Sequence, residues 1–468
     1  MNDSTHTAGW TSVERTVPEP VPLRVQGELP DWLTGAVVRT GPAKFEANGR
    51  SLNHWFDGFA MLDRFAVAGG GVTYASRMLE SRAYRAASEN GEISYMEFAT
   101  DPCRSLFKRV ASAFSPKITD NANVNVTRLG ERWIAMTETP MQAEFDPETL
   151  ATVGVVDYED ERTSHGTIAH PHHDARRGEL LSFTMRYGPR SHYDVYRLPD
   201  GSRARQTFAS AKTDKPSYMH SFAMTPRHLV LFESPFRVNP MTLLLSGRPF
   251  IENFRWEPER GTRFLVFDRE DGSLTGVGEA EPFFVFHQVN AFERDGEIVV
   301  DLCAYDDAGI VKSFYLDRLR AGQAPPLPYV RRYRVPIEGG EAVREHQLTE
   351  SMELPRINYR RCVGRDYRYA WAAATTPGGA WFDEIAKADV TDGTTITWTE
   401  DGCHPGEPVF VAPPHPRGED DGVILSVVLD SKRDLSFLLV LDAATLTELA
   451  RAAAPMRLPF GFHAQYAR

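Results

Sequence analysis

The sequence contains few cysteines and no long apolar run. Its four cysteines, among 468 residues, form no CxxC pair. That pattern is typical of a reducing compartment and provides neither a disulfide framework nor a zinc-thiolate site. No segment approaches the roughly 18 consecutive apolar residues that cross a bilayer, and the polar residues 1–10 do not resemble a secretory signal. We therefore expect a cytoplasmic protein.

Positive charge is also in deficit. The chain has 52 lysines and arginines against 64 aspartates and glutamates, which gives a formal net charge of −12. Because phosphate contacts need clustered lysine and arginine, this balance argues against a nucleic-acid-binding protein. The sequence also lacks a nucleophile elbow, a phosphate-binding glycine loop, a dinucleotide fingerprint and a helical HExxH motif. These absences remove the commonest catalytic alternatives.

Short apolar segments that end at glycine or proline make up most of the chain. Examples at 132–138 and 297–302 are typical of β-strands. A pattern of apolar strand, aspartate and polar turn recurs at 145–150, 267–272 and 441–446. Hairpins between the outer strands of a β-propeller blade often have this form. The sequence therefore predicts an all-β propeller.

The predicted propeller occupies most of the chain as one domain. No linker-like change of composition interrupts the middle of the sequence, so one large propeller is favoured over two sandwiches. Residues 1–20 are polar and contain proline, and we expect them to form a flexible N-terminal arm. Residues 21–468 would then be a single catalytic domain.

The histidines are the residues most able to carry chemistry. Of 14 histidines, a dense group lies at 165–173, which alone would suit a loop that binds zinc adventitiously. His220 ends a short apolar run before a predicted strand, and His170, His287 and His463 lie at similar junctions. From the residues alone, these four predict either a shared metal site or ordinary buried and surface histidines.

Five motifs, taken together, resemble the carotenoid cleavage oxygenases. That family of non-haem iron enzymes also includes the vertebrate retinoid isomerohydrolase and the lignostilbene dioxygenases. The motifs occur in the family's order and run nearly end to end. They are Asn53-His54-Trp55-Phe56-Asp57-Gly58, Ala169-His170-Pro171-His172, Tyr218-Met219-His220-Ser221-Phe222, Phe286-His287-Gln288-Val289-Asn290-Ala291 and Phe460-Gly461-Phe462-His463.

The resemblance implies a seven-bladed β-propeller whose short helices and loops form a cap over an axial iron site. Four histidines from separate blades would hold Fe(II), and three glutamates would orient the imidazoles by accepting their second ring N–H. No catalytic residue beyond the iron centre is implied. The implied ligands are His170, His220, His287 and His463, and Glu138, Glu353 and Glu407 would orient the last three in that order.

Val124 matches a position that crowds the sixth coordination site in relatives. The alternative interpretation of Val124 is an ordinary core valine. Four neutral imidazoles without a carboxylate ligand leave Fe(II) its full charge and one or two open coordination positions. The implied reaction is the cleavage of a C=C bond by O2, which gives two aldehyde or ketone products.

The substrate implied by the resemblance is a long apolar polyene. Residues 215–222 are most similar to the branch of β-carotene oxygenases and the retinoid isomerohydrolase, which favours a carotenoid or apocarotenoid. A lignostilbene dioxygenase is the alternative, but stilbene-cleaving relatives have a lysine at the position of Thr137, and this departure counts against a phenolic stilbene. A third hypothesis is a propeller that only binds a partner and keeps a vestigial metal site.

Two short helices are predicted, at 102–113 and 240–245. Around the first of them, four apolar side chains are spaced so that they would dip into a bilayer surface. The alternative is a helix that packs on the propeller. We expect peripheral membrane contact through Leu106, Phe107, Val110 and Phe114.

Overall fold

The computed structural model describes residues 5–13, 15–101, 118–160 and 164–468. Strands dominate it. The first twelve are β1 (Val17–Leu23), β2 (Val25–Gly27), β3 (Gly35–Lys44), β4 (Glu46–Ala47), β5 (Arg50–Ser51), β6 (Phe59–Ala68), β7 (Gly71–Met78), β8 (Asn125–Leu129), β9 (Arg132–Met136), β10 (Ala143–Phe145), β11 (Thr152–Val155) and β12 (Gly166–Thr167).

The middle of the chain continues with strands of similar length. They are β13 (His172–Asp174), β14 (Glu179–Arg186), β15 (Ser191–Pro199), β16 (Gln206–Thr213), β17 (Phe222–Met224), β18 (His228–Glu233), β19 (Phe236–Val238), β20 (Phe254–Trp256), β21 (Thr262–Asp268), β22 (Leu274–Ala280), β23 (Phe284–Arg294) and β24 (Glu297–Tyr305).

The last twelve strands complete the chain. They are β25 (Tyr329–Pro336), β26 (Gly340–Glu341), β27 (Val343–Arg356), β28 (Tyr369–Ala374), β29 (Glu384–Asp389), β30 (Thr394–Thr399), β31 (Cys403–Pro405), β32 (Val409–Val411), β33 (Val423–Asp430), β34 (Leu435–Asp442), β35 (Glu448–Ala453) and β36 (Ala464–Ala467).

Helices are short. The α-helices are α1 (Arg82–Asn90), α2 (Pro240–Leu245), α3 (Gly309–Ser313), α4 (Leu316–Arg320) and α5 (Tyr359–Cys362). The 3-10 helices are Thr5–Trp10, Trp55–Asp57, Phe250–Asn253 and Pro258–Arg260. Helix α2 confirms the prediction for 240–245, whereas the helix predicted at 102–113 lies outside the described residues. In the described ranges, no helix combines the length and apolarity needed to span a membrane.

The described strands form seven blade-like sheets, with two extra pairs, β4–β5 and β19–β20. In chain order the sheets are β1-β7-β6-β3-β36, β8 to β11, β12 to β16, β17-β18-β21-β22-β26, β23-β24-β25 with residues 343–351, residues 352–356 with β28-β29-β30, and β2-β35-β34-β33 with β31 and β32. Strand β27 therefore contributes to two successive sheets.

Each sheet packs face to face with the next around a closed ring. Seven apolar clusters fill the seven gaps between neighbouring sheets. In β3, Val37 packs towards the last sheet, whereas Val38 packs towards the second. Because successive side chains of a strand point to opposite faces, both faces of β3 are buried. This ring of seven sheets confirms the predicted propeller.

The repeated aspartate turns lie where the sequence placed them, between the two outer strands of a sheet. Oδ1 of Asp146 accepts hydrogen bonds from the backbone N–H groups of Glu148 and Thr149, and Asp442 repeats the arrangement. This bonding pattern is the Asx turn that favours aspartate at such corners. The turns support the blades and lie away from the ring axis.

Residues 5–13, within the expected flexible arm, are packed against the propeller. Trp10 is only 1% exposed, and its ring meets the rings of Trp381 and Phe460 at centroid distances of 4.7 and 5.1 Å. The guanidinium of Arg320 donates two hydrogen bonds to the Trp10 carbonyl oxygen. A polar, proline-containing composition predicted mobility, but one buried indole anchors the segment by its large apolar area.

Candidate metal centre

Four imidazoles converge from four different sheets. His287 lies within β23, His220 and His463 lie just before β17 and β36, and His170 lies between β12 and β13. Strands β12, β17, β23 and β36 are each at the end of their sheet's strand order. Because these end strands surround one axis, their histidines meet although they are far apart in sequence.

The four rings are packed at metal-site distances. Nε2 of His170 lies 2.9 Å from Nε2 of His220, and Nε2 of His287 lies 3.1 Å from Nε2 of His463. One ring nitrogen from each of the four residues lies within 4.8 Å of those of the others. The structure therefore brings all four predicted ligands together.

Three of the imidazoles also contact a glutamate through Nδ1. The distances from Nδ1 to a carboxylate oxygen are 2.5 Å for His220 and Glu138, 2.5 Å for His287 and Glu353, and 2.7 Å for His463 and Glu407. The structure places these glutamates against the histidines that the sequence paired them with. An ionised carboxylate only accepts hydrogen bonds, so each Nδ1 carries the proton.

This tautomer determines what the centre can hold. With Nδ1 protonated, the Nε2 atoms of His287 and His463 both present lone pairs, and they face each other at 3.1 Å. Two lone pairs at that distance repel each other unless a cation accepts both. The donor set therefore fits a transition metal that binds imidazole nitrogen.

Burial keeps the imidazoles neutral. It lowers the pKa of His463 to about 4 and the pKa of His170 well below the ordinary histidine range, to which the neighbouring rings also contribute. Burial likewise lowers the pKa of His220. Neutral imidazole is the form that binds metal ions, so burial favours the metal-binding form of these three donors.

Each supporting glutamate has a further partner of its own. The Tyr218 hydroxyl donates to Glu138 at 2.9 and 3.0 Å, and the Tyr305 hydroxyl donates to Glu353 at 3.1 Å. Glu407 instead accepts a hydrogen bond from Arg356 at 2.8 Å and another from the backbone N–H of Ala464 at 2.8 Å. Two of the glutamates are therefore held by tyrosine hydroxyls, whereas the third is held by an arginine.

A distortion in β27 lets this one strand provide both Glu353 and Arg356, the partner of Glu407. The register shifts between Glu353 and Arg356, and Leu354 between them has a φ of 54°. A positive φ is strained for leucine. The backbone N–H of Leu354 donates a hydrogen bond of 2.6 Å to the Glu353 carboxylate. The kink places Glu353 beside His287, and Arg356 beside Glu407.

The neighbouring histidines of the dense cluster have other partners. Nε2–H of His172 donates to the carbonyl oxygen of Phe222 at 2.9 Å, and its Nδ1 accepts from the Tyr359 hydroxyl at 2.8 Å. His173 is exposed and pairs with Asp200. Both ring nitrogens of His172 are therefore engaged, and Nδ1 of His165 accepts the backbone N–H of Tyr187. Of this cluster, His170 is the residue that meets the other three imidazoles.

A cavity of about 590 Å³ opens onto the centre. His220, His287 and His463 line it, together with many aromatic side chains. The aromatic residues nearest the histidines include Phe286, whose ring centroid lies 5.2 Å from that of His220. The other aromatic lining residues are Trp55, Phe56, Phe98, Tyr187, Tyr218, Phe250, Tyr305, Phe314, Phe382 and Phe462.

Val124 lies at the junction of this cavity and the centre. It is 8% exposed, lines the cavity and packs against Ala169, the residue before His170. Thr137, which stands where stilbene-cleaving relatives have lysine, is buried and also lines the cavity. Both residues are therefore placed where they can affect a bound molecule.

Sequence reasoning missed Tyr305 and Arg356 as partners of the glutamates. Arg356 lies three residues after Glu353, but an ordinary strand would place residues three apart on opposite faces. Tyr218 lies within the motif around His220, and its role could have been inferred from the need of a buried carboxylate for a second donor. The aromatic wall was signalled by the phenylalanines next to His287 and His463.

Comparisons with known proteins agree with this geometry. The family model described as retinal pigment epithelial membrane protein matches residues 10–468. Over 523 aligned residues, the chain is 35% identical to the carotenoid-cleaving dioxygenase, mitochondrial, of Mustela putorius furo, which covers 97% of this chain and 95% of that protein. It is 32% identical over 515 residues to the mouse β,β-carotene 15,15′-dioxygenase, which covers 95% and 88%.

A solved structure has the same fold. A variant of the Synechocystis apocarotenoid oxygenase matches 99% of this chain and 98% of its own, with a TM-score of 0.89 and 23% identity. That likeness supports the ring of seven sheets. Together with the match of the family model over nearly the whole chain, it shows that the chain belongs to the retinal pigment epithelial membrane protein family, the carotenoid oxygenases that its motifs resemble.

Proposed function

We propose that the chain is a non-haem iron dioxygenase that cleaves a C=C bond of a carotenoid or apocarotenoid. The observation that carries this proposal is the set of four converging imidazoles, three of them supported by glutamates, onto which an aromatic cavity opens. The named activities of the relatives from Mustela putorius furo and mouse agree with it.

In this proposal His170, His220, His287 and His463 hold Fe(II). Imidazole nitrogen also suits zinc, copper and nickel, and the family favours iron. A cobalt-substituted form of the Synechocystis enzyme has the same fold with a TM-score of 0.89, so cobalt is a useful probe. When bound, Fe(II) supplies the redox chemistry that joins O2 to the double bond.

The reaction balances without an organic cofactor. One C=C bond and one O=O bond break, and two C=O bonds form, so both oxygen atoms appear in the two carbonyl products. The protein contributes by positioning the substrate. The aromatic wall around Phe56, Phe286 and Phe462 would hold the polyene, and the closely packed rings would exclude water from it.

The glutamates would keep the imidazoles in one orientation. Each accepts the Nδ1 proton of one ring, so Nε2 remains the ligand atom. Val124 would restrict one coordination position by its two methyl groups. No side chain is required to donate or accept a proton during the reaction.

A stilbenoid substrate is less well supported. The compared relatives are named for carotenoids, and Thr137 replaces the lysine that would hold a phenol. A partner-binding propeller with a vestigial metal site does not explain why all four rings and their three glutamates keep metal-site geometry. The carotenoid reading accounts for both the site and the cavity.

We also propose that the protein makes peripheral contact with a membrane. The predicted contact residues Leu106, Phe107, Val110 and Phe114 lie outside the described residues. Helix α2 lies at the cavity, and its Met241 and Leu245 are 49% and 76% exposed. Exposed apolar side chains at a cavity that takes lipid-soluble molecules favour contact with a bilayer surface. Sedimentation with phosphatidylcholine vesicles tests this, and no co-sedimentation would contradict it.

The function is tested by turnover under labelled oxygen. The iron-loaded protein is incubated with β-carotene and with apocarotenals under ¹⁸O2, and the products are identified by mass. We expect two carbonyl products that both carry the label. His220→Ala should abolish iron binding and turnover, whereas exposed His415→Ala should change neither. Absence of any aldehyde or ketone product from every polyene tested would overturn the proposal.

A further inference from the structure

A buried glutamate lies in the cavity wall away from the four histidines. Glu97 is 4% exposed and lines the cavity. It lies between Met96, which forms a β-bridge with Ile118, and Phe98. The hydroxyl of Thr119 donates a hydrogen bond of 2.8 Å to Oε1 of Glu97. A carboxyl group at a wall built mainly from apolar side chains needs an explanation.

No cation compensates this carboxyl within the described ranges. Burial raises the pKa of Glu97 well above the ordinary glutamate range, and the charge of Asp57 raises it further. The nearby Arg82 pairs with Asp120 and not with Glu97. Burial therefore favours the protonated form of the Glu97 carboxyl, which has an O–H to donate.

Thr119 does not accept a hydrogen bond from the Glu97 O–H. Its hydroxyl oxygen already accepts the backbone N–H of Asn121 at 3.1 Å, and its proton points to Oε1 of Glu97. Among the described residues, no other side chain forms a hydrogen bond with the Glu97 carboxyl. One donor of a side chain that is more than nine-tenths buried thus remains open at the cavity.

Other polar groups of the same wall are engaged within the protein. The side-chain amide of Asn121 binds the carbonyl oxygen of Gly58 and the backbone N–H of Ala60. Asn123 binds the carbonyl oxygens of Phe56 and Gly58. These amides shape the wall, whereas Glu97 retains hydrogen-bonding capacity towards the cavity.

We infer that Glu97 binds an oxygen atom at the end of the substrate, the carbonyl or hydroxyl of an oxygenated polyene. This inference deepens the proposed function and rests on it. A carbonyl oxygen accepts the acid proton, and a hydroxyl can both accept and donate. A pure hydrocarbon would cover the acid without a partner, and a buried unpaired polar group is costly. The cavity therefore prefers apocarotenals or hydroxylated carotenoids to hydrocarbons.

Two ligands of equal length, one ending in an aldehyde and one in a methyl group, test the preference. Binding to the iron-loaded protein is followed without oxygen by quenching of tryptophan fluorescence, since Trp55 lines the cavity. We expect the wild type to bind the aldehyde about tenfold more tightly, which is the range of one neutral hydrogen bond. Equal affinity for the two ligands would overturn the inference.

Variants locate the effect at Glu97. Glu97→Leu should lose the roughly tenfold preference and keep its hydrocarbon affinity within about twofold. Glu97→Gln retains an N–H donor of similar shape and should keep most of the preference. A parallel loss for both ligands in either variant would assign Glu97 a structural role only and would overturn the inference, as would an unchanged preference in Glu97→Leu.

The outcomes separate this inference from the proposed function. Binding is measured without oxygen, so it does not depend on turnover. If the wild type binds aldehydes preferentially but cleaves no polyene, the inference about Glu97 stands and the proposed function fails. If turnover occurs without any preference for oxygenated ends, the proposed function stands and the inference fails.

Discussion

Arg356 donates a hydrogen bond of 2.8 Å to Oε2 of Glu407, whose Oε1 lies 2.7 Å from Nδ1 of His463. Its guanidinium also contacts the carbonyl oxygen of Ala464. One arginine thus joins a glutamate of one sheet to the strand that carries a ligand histidine. Burial would raise the pKa of Glu407, but Arg356 and His463 lower it to about 2.

The support of His463 can be tested by metal affinity. Glu407→Gln should weaken Co²⁺ binding by about 10- to 100-fold, because the ring loses its fixed tautomer and orientation. Arg356→Gln should weaken it less, and Arg356→Lys should restore part of the loss. Cobalt titration followed by visible absorption measures each value. Glu400→Gln, which breaks the ion pair with Arg451 elsewhere in the fold, is the matched control and should have no effect.

Metal removal should lower the stability of the whole ring. The ligands come from four sheets, so an ion that binds only the folded state ties these sheets together. At a free metal concentration of about 100 times Kd, the gain is about 2.7 kcal/mol. Calorimetric melting with Co²⁺ and with a chelator measures the difference. A melting temperature that does not depend on the metal would show that the ion has no preference for the folded state, which would contradict a metal site built by the four histidines.

Acid should destabilise the metal-free protein through a buried histidine. Burial lowers the pKa of His172 to about 4, while in the unfolded chain it is near 6.5. Between these values the unfolded chain binds a proton that the folded chain rejects, so the free energy of unfolding falls as the pH falls from 6.5 towards 4. One such residue contributes on the order of 3 kcal/mol over that range.

Urea unfolding at several pH values measures this dependence. His172→Gln should be less stable at pH 8, because the bonds to Tyr359 and Phe222 change, but it should lose less stability on acidification than the wild type. Exposed His415→Gln provides the control and should keep the wild-type pH profile. An identical pH slope in His172→Gln and the wild type would contradict the assignment.

Val124 should restrict access of small molecules to the metal. Val124 lines the cavity and lies in one apolar cluster with Ala169, the residue before His170. Val124→Ala removes two methyl groups there. We expect nitric oxide to bind the iron-loaded variant more tightly than the wild type, as read by electron paramagnetic resonance. Val126 is also buried but packs in the cluster between the first two sheets, so Val126→Ala should leave nitric oxide binding unchanged.

The N-terminal anchor should contribute substantially to stability. Trp10→Ala removes a buried indole that packs against Trp381 and Phe460, and such truncations cost about 3–5 kcal/mol. Urea unfolding measures the loss. Val153→Ala, at a residue that is 66% exposed, should cost little. A Trp10→Ala protein as stable as the wild type would support the flexible arm that composition predicted.

The sequence predicted the fold well because its strand pattern and its turn pattern indicated the same architecture. Short apolar strands and recurring aspartate turns both pointed to repeated blades. Asp146 and Asp442 act through their own neighbours, so local chemistry predicts them well. The histidines required the family resemblance, because the meeting of His170 with His463 depends on how the ring closes.

What the sequence could not predict are contacts that arise from irregular backbone or distant packing. Arg356 reaches Glu407 only because the kink at Leu354 changes the register of β27. Trp10 is buried by residues from the other end of the chain. The cavity position of Glu97 depends on which wall faces the axis, and no spacing rule encodes that.

The pairing of β36 with β3 gives the ring a seam. Four residue pairs, from Ala36 with Ala467 to Arg39 with Ala464, hold this last strand, and His463 immediately precedes it. If the seam opens, His463 moves away from the other three imidazoles. Release of the metal and opening of the seam would then be one motion, so the residence time of the ion would report the lifetime of the closed ring.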